Sequence, residues 1–431
     1  MLIVSDKVVT EPPLSWGQLI LVSVQHIFVS NVWLDPIFVA SAAGLSLGLS
    51  TNLVNAIFIT SGLVTFIQAT KLVRLPIVQG PSAAFDALMI NAGQTGMLPM
   101  AGSSVFVSAL IVGVLSVTGL LTKLVNKLTS AITGTIIFLV GLSLASFTLS
   151  EFLGGSPGTK GFASPITLLL ASVTTAIVLG LSLFGKGYWH RFSFLIALVV
   201  GDVLAGLLGQ IKLAGLATKP WFGLPRLMPY GGWQFHWATF LTFLIAYCVA
   251  VIEALGVYQA AASITKEPLT SKRIRNGITG EAAGSMLSSL IGGFPTTAFA
   301  QNLGVMKLTG VHSRKPIFLT GILLVLLGLM PKLGAFFALT PAPVIGGMFL
   351  PAAATLITTG FSILKKAKSS EATNLVIGLA IILAVALPSY ASGFHGALKV
   401  LLSNSILIGA VAAIVLHLLL IVLPKYLRRG V

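Results

Sequence analysis

The chain has 431 residues, of which 56% are hydrophobic and only 8% are charged. An ordinary soluble domain carries about 25% charged residues, so this composition excludes a soluble protein and indicates a polytopic membrane protein. The lone Cys248 excludes an internal disulfide and a cysteine metal site. The sequence has no nucleophile elbow, phosphate-binding loop or histidine pair at metal-binding spacing, so we expect no enzyme activity, no cofactor and no bound metal.

Apolar stretches long enough to cross a membrane recur along the whole chain. A helix of about 20 residues crosses the hydrocarbon core, and an all-α protein with about fourteen such segments is predicted on that length. The expected spans are 17–42, 45–71, 73–92, 101–123, 129–147, 163–184, 189–211, 236–262, 275–293, 297–311, 315–335, 340–363, 370–388 and 402–424. The first sixteen residues lack the basic region and apolar core of a cleaved signal, so we expect the N-terminus to be retained.

The net charge of +16 is explained by topology. Lys and Arg concentrate in cytoplasmic loops because they resist translocation. With the N-terminus inside, 20 of the 26 basic residues fall on the cytoplasmic side. The other six are Lys160, Lys212, Lys219, Arg226, Lys332 and Lys399. This split predicts both termini in the cytoplasm and residues 212–230 outside, and it explains the basic pI without a nucleic-acid partner.

Five acidic residues lie within or at the ends of apolar segments: Asp35, Asp86, Asp202, Glu253 and Glu281. An ionisable group in the membrane interior normally faces a cavity or a partner, so a functional role is the default hypothesis. Asp35 precedes Pro36 and could instead cap a helix end, while Asp202 could pair within a helix bundle. Glu253 has no charged residue within the ten positions before it and is the strongest functional candidate.

Two segments carry interruptions at corresponding positions. Residues 73–86 and 294–304 each contain a proline followed six positions later by a polar residue, Ser82 or Gln301. Each is expected to begin extended and to continue as a short half-helix. Paired interruptions of this kind point to the midplane binding site of a transporter. They fall in the third and tenth expected spans, which predicts two inverted repeats of seven segments.

The amide pair Gln301-Asn302 stands at the start of the second half-helix. Extended backbone at membrane depth is tolerated only beside a cavity or buried in protein, and half-helix N-termini direct N–H donors and positive dipole ends at whatever lies between them. Each amide offers both a donor and an acceptor, which suits a ligand whose edge alternates N–H and C=O. The alternative is that these amides only join helices to one another.

The run from Gln301 to Gly310 resembles the signature motif of the nucleobase/ascorbate transporter family, which contains uracil, xanthine and urate permeases. The motif has glutamine, glutamate or proline, then Asn, any residue, Gly, four variable positions, Thr, and Arg, Lys or Gly. All of its fixed positions are matched here. Gln25-His26 resembles the family's Gln-His pair in the first span, and Glu253 and Glu281 resemble its acids in the eighth and ninth.

The resemblance implies a core domain, a gate domain and an elevator-like movement between them. The expected boundaries are a cytoplasmic N-terminus at 1–16, core segments at 17–123 and 236–335, and gate segments at 124–235 and 336–431. It also implies proton symport across the cell membrane by a homodimer. In that mechanism protonation of Glu253 favours substrate binding and removes a buried charge from the loaded core.

The resemblance also implies roles for individual residues. Glu253 and Gln301 would hydrogen-bond the base. Asn302, His26, Glu281 and Gln25 would support the site or its coupling to protons, and Gly304 would permit close helix packing. The remaining expected substrate contacts are Ser82, Ala83, Phe85, Phe299 and Ala300. Many relatives place a base-stacking aromatic residue where this chain has Ser82-Ala83-Ala84, with Phe85 next.

Glutamine at position 301 favours an oxidised purine such as xanthine or urate, because uracil permeases of the family usually begin the motif with glutamate. Uracil is the second expectation. Two other possibilities stay open: a transporter of inorganic or organic anions with the same fold, and an uncoupled nucleobase facilitator. A channel or a membrane enzyme is less consistent with the sequence, because the polar residues cluster at one site and lack catalytic constellations.

Overall fold

The structure is a computed structural model that describes residues 14–121, 129–211 and 213–424. The expected cytoplasmic residues before position 14 and after position 424 lie outside the described residues, as do Lys123, Lys127 and Lys212. The chain is predominantly helical. Short helices outside the main ones are Tyr188–Arg191, Ala214–Ala217 and Gly396–Leu402.

Nine helices of the described residues are long and apolar enough to cross a membrane. They are Trp16–Ala42, Leu47–Thr70, Leu98–Val117, Ser130–Leu153, Pro165–Phe184, Trp237–Thr265, Ala342–Leu364, Glu371–Gly393 and Ser405–Val422. The first of these is broken at residues 31–33, where Asn31 adopts a left-handed conformation with φ of 54°. It therefore consists of the helices Trp16–Ser30 and Leu34–Ala42.

The remaining expected spans are shorter, bent or more polar. Arg314–Gly328 and Pro331–Ala338 form one apolar pair bent by 82°, because Pro331 starts a new helix and cannot continue the previous one. Ser193–Leu207 has only 15 residues, and Ser271–Leu290 carries several charges in its sequence. The count of about fourteen spans and their inverted-repeat arrangement are thus not confirmed by the helices within the described ranges.

The two interrupted segments contain the two short strands of the described residues. Strand β1 (Gln79–Pro81) and strand β2 (Thr296–Ala298) pair antiparallel, with Gly80 opposite Thr297. The pair is extended by Ser82 N donating to Pro295 O at 2.9 Å and Phe299 N donating to Val78 O at 3.0 Å. Mutual pairing satisfies the backbone polar groups that the extended conformation leaves open inside the protein.

A half-helix follows each strand. After β1 the chain makes a single 3-10 turn, Ala83–Phe85, and continues as the helix Asp86–Gln94. After β2 it forms the helix Gln301–Thr309. The expectation that these two segments are half extended and half helical is therefore met by their backbone.

The helices pack in two groups. In one group Leu47–Thr70 packs against Arg314–Gly328, and Ser271–Leu290 packs against Leu98–Val117. Small residues allow the first contact, since a Cβ on Gly62 would lie 2.6 Å from the carbonyl oxygen of Gly321. Close backbone approach at small residues is the usual way in which membrane helices associate.

The second group surrounds Ala342–Leu364. This helix packs against Ser130–Ser143, Ala145–Leu153 and Pro165–Phe184, and Glu371–Ala386 packs against Ser405–His417. The two groups meet where the ring of Phe38 stacks on that of Phe349, with centroids 3.6 Å apart. A continuous buried core of apolar side chains runs through both groups.

Candidate substrate-binding site

The strand pair brings two uncapped helix N-termini to the same place in the fold. Neither the turn that starts at Ala83 nor the helix that starts at Gln301 has a side-chain cap at its beginning. The first N–H groups of a helix have no intrahelical partner, and they carry the positive end of the helix dipole. The crossing of β1 and β2 therefore presents two sets of backbone donors to a polar ligand.

Glu253 reaches this crossing from the helix Trp237–Thr265. Its carboxylate oxygen Oε2 lies 3.4 Å from Ser82 Oγ, which donates to it, and the residue is half-buried. One turn earlier, Ala250 O accepts a hydrogen bond of 3.1 Å from Thr297 Oγ1 of β2. The helix is thus fastened to the strand pair beside the acid, which places Glu253 close to the start of the first half-helix.

The two amides of the second half-helix point in different directions. Gln301 and the preceding Ala300 are exposed, whereas Asn302 is completely buried. Asn302 Nδ2 donates to the carbonyl oxygen of His26 at 3.0 Å and lies 3.0 Å from its Nδ1. The structure therefore joins Asn302 to His26 and leaves Gln301 accessible.

The two phenylalanines expected near the substrate are packing residues in this structure. Phe85 is buried, and its ring centroid lies 5.9 Å from that of Phe243 and 5.8 Å from that of Tyr247. The ring of Phe299 covers Gly80 so closely that a Cβ at position 80 would collide with it. Phe85 thus packs against the helix Trp237–Thr265 and Phe299 against β1, and Ala83 is half-buried.

Glu281 lies behind the strand pair, and Gln25 lies in the helix Trp16–Ser30. Tyr258 Oη donates to Glu281 Oε1 at 2.6 Å, and Ser285 Oγ donates to the carbonyl oxygen of Glu281 at 2.8 Å. Ser285 Oγ also accepts from Thr296 N at 3.2 Å, so the helix that carries Glu281 positions β2. Gln25 is buried, and its Nε2 has no hydrogen-bond partner among the described residues.

Side-chain hydrogen bonds from Asn52 and Tyr230, which were not expected from the sequence, hold the chain just before β2. Asn52 Nδ2 donates to Ile291 O at 2.7 Å, and its Oδ1 accepts from Arg226 N at 2.6 Å. Tyr230 Oη donates to Gly292 O at 2.7 Å, and burial raises the pKa of Tyr230 above its usual range. In the sequence, the feature that could have indicated this contact is Asn52, a polar residue within the apolar span 45–71.

Of the other interior acids, Asp35 and Asp86 lie on helices that pack against each other, Leu34–Ala42 and Asp86–Gln94. Asp86 is completely buried. Asp202 lies elsewhere, where its Oδ2 accepts from Thr340 Oγ1 at 3.0 Å beside a cavity of about 260 Å³. Asp35 and Asp86 were expected from the sequence as interior acids, without a role at the site.

One expectation from the motif is wrong. Gly304 was expected to permit close helix packing, but a Cβ built on it would meet no atom within 4 Å among the described residues. The residue is exposed on the half-helix surface. Close approach occurs instead at Gly80, where the strand pair leaves no room for a side chain.

The fold and the site are those of a multi-pass membrane protein with a polar site between two interrupted segments. The chain matches the model of a permease family, Xan_ur_permease, over residues 17–393. It belongs to this family, the nucleobase/ascorbate transporter family.

Named relatives cover nearly the whole chain. The uric acid permease PucK of Bacillus subtilis (strain 168) is 31% identical over 410 residues, which cover 93% of this chain and 95% of PucK. A xanthine permease of the same organism is 27% identical over 421 residues, which cover 95% of this chain and 95% of that relative. The resemblance seen in the motif thus extends well beyond it.

Solved structures of more distant proteins share the fold. The transmembrane domain of the cyanobacterial bicarbonate transporter BicA aligns with a TM-score of 0.62 at 18% identity, covering 92% of this chain and 98% of that one. The murine anion transporter Slc26a9 aligns with a TM-score of 0.64 at 13% identity, covering 95% of this chain and 69% of that one. At these identities the likeness concerns the fold alone.

Proposed function

We propose that the protein is a proton-coupled symporter that moves a nucleobase into the cell across the cell membrane. The observation that carries the proposal is the meeting of Glu253 with two uncapped half-helices at the crossing of β1 and β2. A carboxyl group, an accessible amide at Gln301 and free backbone N–H groups together offer donors and acceptors. That set matches the alternating N–H and C=O edge of a base.

The proposed substrate is an oxidised purine such as xanthine or urate, with uracil second. Gln301 supports this choice because its amide both donates and accepts, so it can pair with a purine edge that presents both kinds of group. The names of the urate and xanthine permeases among the relatives agree with it. Ser82, Ala83, Ala300 and Gln301 would contact the base, while Phe85 and Phe299 would shape the site from behind.

The two packing groups support an elevator-like movement of one against the other. We propose that 17–123 and 236–335 form the core that carries the substrate, and that 124–235 and 336–431 form the gate. The strand pair and both half-helices lie in the proposed core segments. Both termini would face the cytoplasm, and two copies of the chain would form a dimer in the membrane.

Proton coupling would run through Glu253. The protonated acid can donate an O–H to the base, and it lets the loaded core cross the membrane with less buried charge. Loss of that proton to the cytoplasm then weakens binding and releases the base. His26, Asn302, Glu281 and Gln25 would keep the half-helices and β2 in position during this cycle.

An anion transporter is the second candidate, because solved anion transporters share the fold and uncapped half-helices suit an anion. The carboxylate of Glu253 would repel such a ligand. A thermal-shift screen of the purified protein against xanthine, urate, uracil, ascorbate, sulfate and bicarbonate separates the two. We expect stabilisation by a base, and stabilisation by sulfate or bicarbonate alone would contradict the nucleobase proposal.

A further inference from the structure

We propose that residues 220–234 hold β2 of the substrate site in position and move with the core, although the expected gate includes them. They are called the connecting segment here, because they lie between the helices Ser193–Leu207 and Trp237–Thr265. This role rests on the proposed division into core and gate, and it moves one segment from the gate to the core. It makes Tyr230 and Asn52 positioning residues for the base.

The turn that leads into β2 is held by donors from outside its own helix. The helix Ser271–Leu290 ends at this turn, and the last C=O groups of a helix have no partner within it. Here the carbonyl oxygens of residues 290–292 each accept a hydrogen bond of 2.7 Å. The donors are Met228 N, Asn52 Nδ2 and Tyr230 Oη, in that order. Two of the three donors belong to the connecting segment.

The same turn is packed tightly against the connecting segment. Gly292 has a φ of 86°, which favours glycine. A Cβ at this position would collide with the Pro229 ring and would lie 2.7 Å from Asn52 Nδ2. The buried side chain of Asn52 also accepts a hydrogen bond of 2.6 Å from Arg226 N. A single amide therefore joins the helix Leu47–Thr70 to both the turn and the connecting segment.

Both ends of the connecting segment are tied to the expected core as well. At its start, Lys332 N donates to Pro220 O at 3.2 Å, and the Lys332 ammonium lies 4.5 Å from the ring centroid of Trp221. At its end, Gln234 N donates to Ser103 Oγ at 3.1 Å. All of these partners lie in the expected core segments, so the connecting segment is fastened to the core along its whole length.

These contacts have a consequence for the proposed movement. Sliding of the core past the connecting segment would break five hydrogen bonds at once, and it would remove partners from the carbonyl groups at a helix end. The segment is therefore expected to travel with the core. Because β2 leads directly into the half-helix Gln301–Thr309, a turn that is already fixed lowers the cost of ordering the site when a base binds.

Tyr230→Phe tests the positioning role, because it removes only the hydroxyl group that bonds to Gly292. We expect xanthine, or uracil if xanthine does not bind, to bind about threefold to fivefold more weakly, since one hydrogen bond changes an equilibrium by about fivefold. Amide hydrogen exchange should become faster at residues 290–299 and stay unchanged in the helix Glu371–Ala386. The matched control is Tyr390→Phe, whose hydroxyl group is on an exposed side chain of the expected gate.

Asn52→Leu provides a second variant, because it keeps the approximate volume of the side chain and removes both of its hydrogen bonds. It should change binding and exchange in the same direction. Unchanged affinity and unchanged exchange at residues 290–299 in both variants would overturn the positioning role. Faster exchange there in a protein that binds no base would instead support that role and contradict the proposed substrate.

Reversible cross-linking tests whether the connecting segment moves with the core. In a Cys248→Ser background, Ser103→Cys with Gln234→Cys links the segment to the core. Ser41→Cys with Glu151→Cys links the core to the gate, because Ser41 Oγ donates to the Glu151 carboxylate. Each pair is joined by the reducible reagent methanediyl bismethanethiosulfonate. Uptake of radiolabelled xanthine or uracil should persist in the first linked pair and stop in the second until the link is reduced.

The two pairs separate this inference from the proposed function. Loss of uptake in the first linked pair, restored by reduction, would show that the connecting segment moves against the core and would overturn its assignment. Continued uptake in the second linked pair would contradict the proposed elevator-like movement, and the exchange at residues 290–299 would still decide the role of Tyr230.

Discussion

The two interrupted segments have the same backbone plan but carry different side chains. Each pairs as a strand with the other and then turns into a half-helix without a side-chain cap. The first half-helix begins with small residues and continues into the acid Asp86, whereas the second begins with the amides Gln301 and Asn302. Both segments therefore offer backbone N–H donors at the start of a half-helix, but the side chains at the two starts differ in chemistry.

Both half-helices also contact the broken first span, on opposite sides of its break. Asn302 Nδ2 bonds to His26 before the break, while the helix Asp86–Gln94 packs against Leu34–Ala42 after it. Neither carboxylate oxygen of Asp86 has a hydrogen-bond partner among the described residues. The second half-helix is thus held to the first span by a side-chain hydrogen bond, while the first half-helix begins with a buried acid that has none.

The largest effect is expected from Glu253→Gln. The amide cannot exchange a proton, so we expect accumulation against a gradient to be abolished while the fold and some binding persist. Xanthine uptake into proteoliposomes with an imposed pH gradient measures this. Wild-type accumulation by the variant would show that Glu253 is not the coupling residue.

A second test asks whether the strand pair tolerates added volume. In Gly80→Ala the new methyl group collides with the Phe299 ring, and overpacking of this kind costs about 1–3 kcal/mol. We expect a lower unfolding temperature and weaker xanthine binding. The matched control is Gly304→Ala, where the added Cβ meets no atom within 4 Å and stability should not fall. Equal effects of the two substitutions would contradict the assigned packing.

Gln301→Glu tests the role of the accessible amide at the start of the second half-helix. The carboxylate removes the amide donor and adds an acceptor, and a donor lost from a contact that the bound base covers costs about 1–3 kcal/mol. We expect weaker xanthine or urate binding and a shift of preference towards uracil. Competition binding with both bases measures the shift. Unchanged competition would place Gln301 away from the ligand.

A smaller effect is expected from Asn302→Ala. The substitution removes the hydrogen bond to the His26 carbonyl, and a net contribution of about 1 kcal/mol to stability is typical for such a bond. The unfolding temperature should fall slightly, and base preference should stay as in the wild type. A changed preference with unchanged stability would mean that Asn302, and not Gln301, contacts the base.

The sequence predicted the broken segments because proline, glycine and the amide pair disfavour helix in a local and recognisable way. It could not predict that β1 and β2 pair directly, since that contact joins residues more than 200 positions apart. The prediction that Gly304 permits close helix packing was wrong for the same reason. Only the neighbours in space show that Gly80 is crowded and Gly304 is not. Asp35 and Asp86 were visible as interior acids, but the contact between their helices depends on tertiary packing.

The number of spans shows a different limit. Hydropathy detects long apolar helices, so Leu47–Thr70 and Trp237–Thr265 were foreseen close to their observed ends. It cannot show that the span expected at 315–335 bends by 82°, or that the first span breaks at Asn31. Pro331 marks the place of the bend locally, but mean hydropathy gives neither its angle nor the left-handed conformation of Asn31.

The central claim is that a nucleobase binds at the start of the second half-helix. In a Cys248→Ser background, Ala300→Cys places a thiol at this exposed position, and Ser369→Cys places one in a distant exposed loop as the control. The rate of alkylation by N-ethylmaleimide is measured with and without saturating xanthine, urate or uracil. We predict that a base slows alkylation at position 300 and leaves it unchanged at position 369. Equal rates at position 300 with and without a base that stabilises the protein would contradict the proposed site.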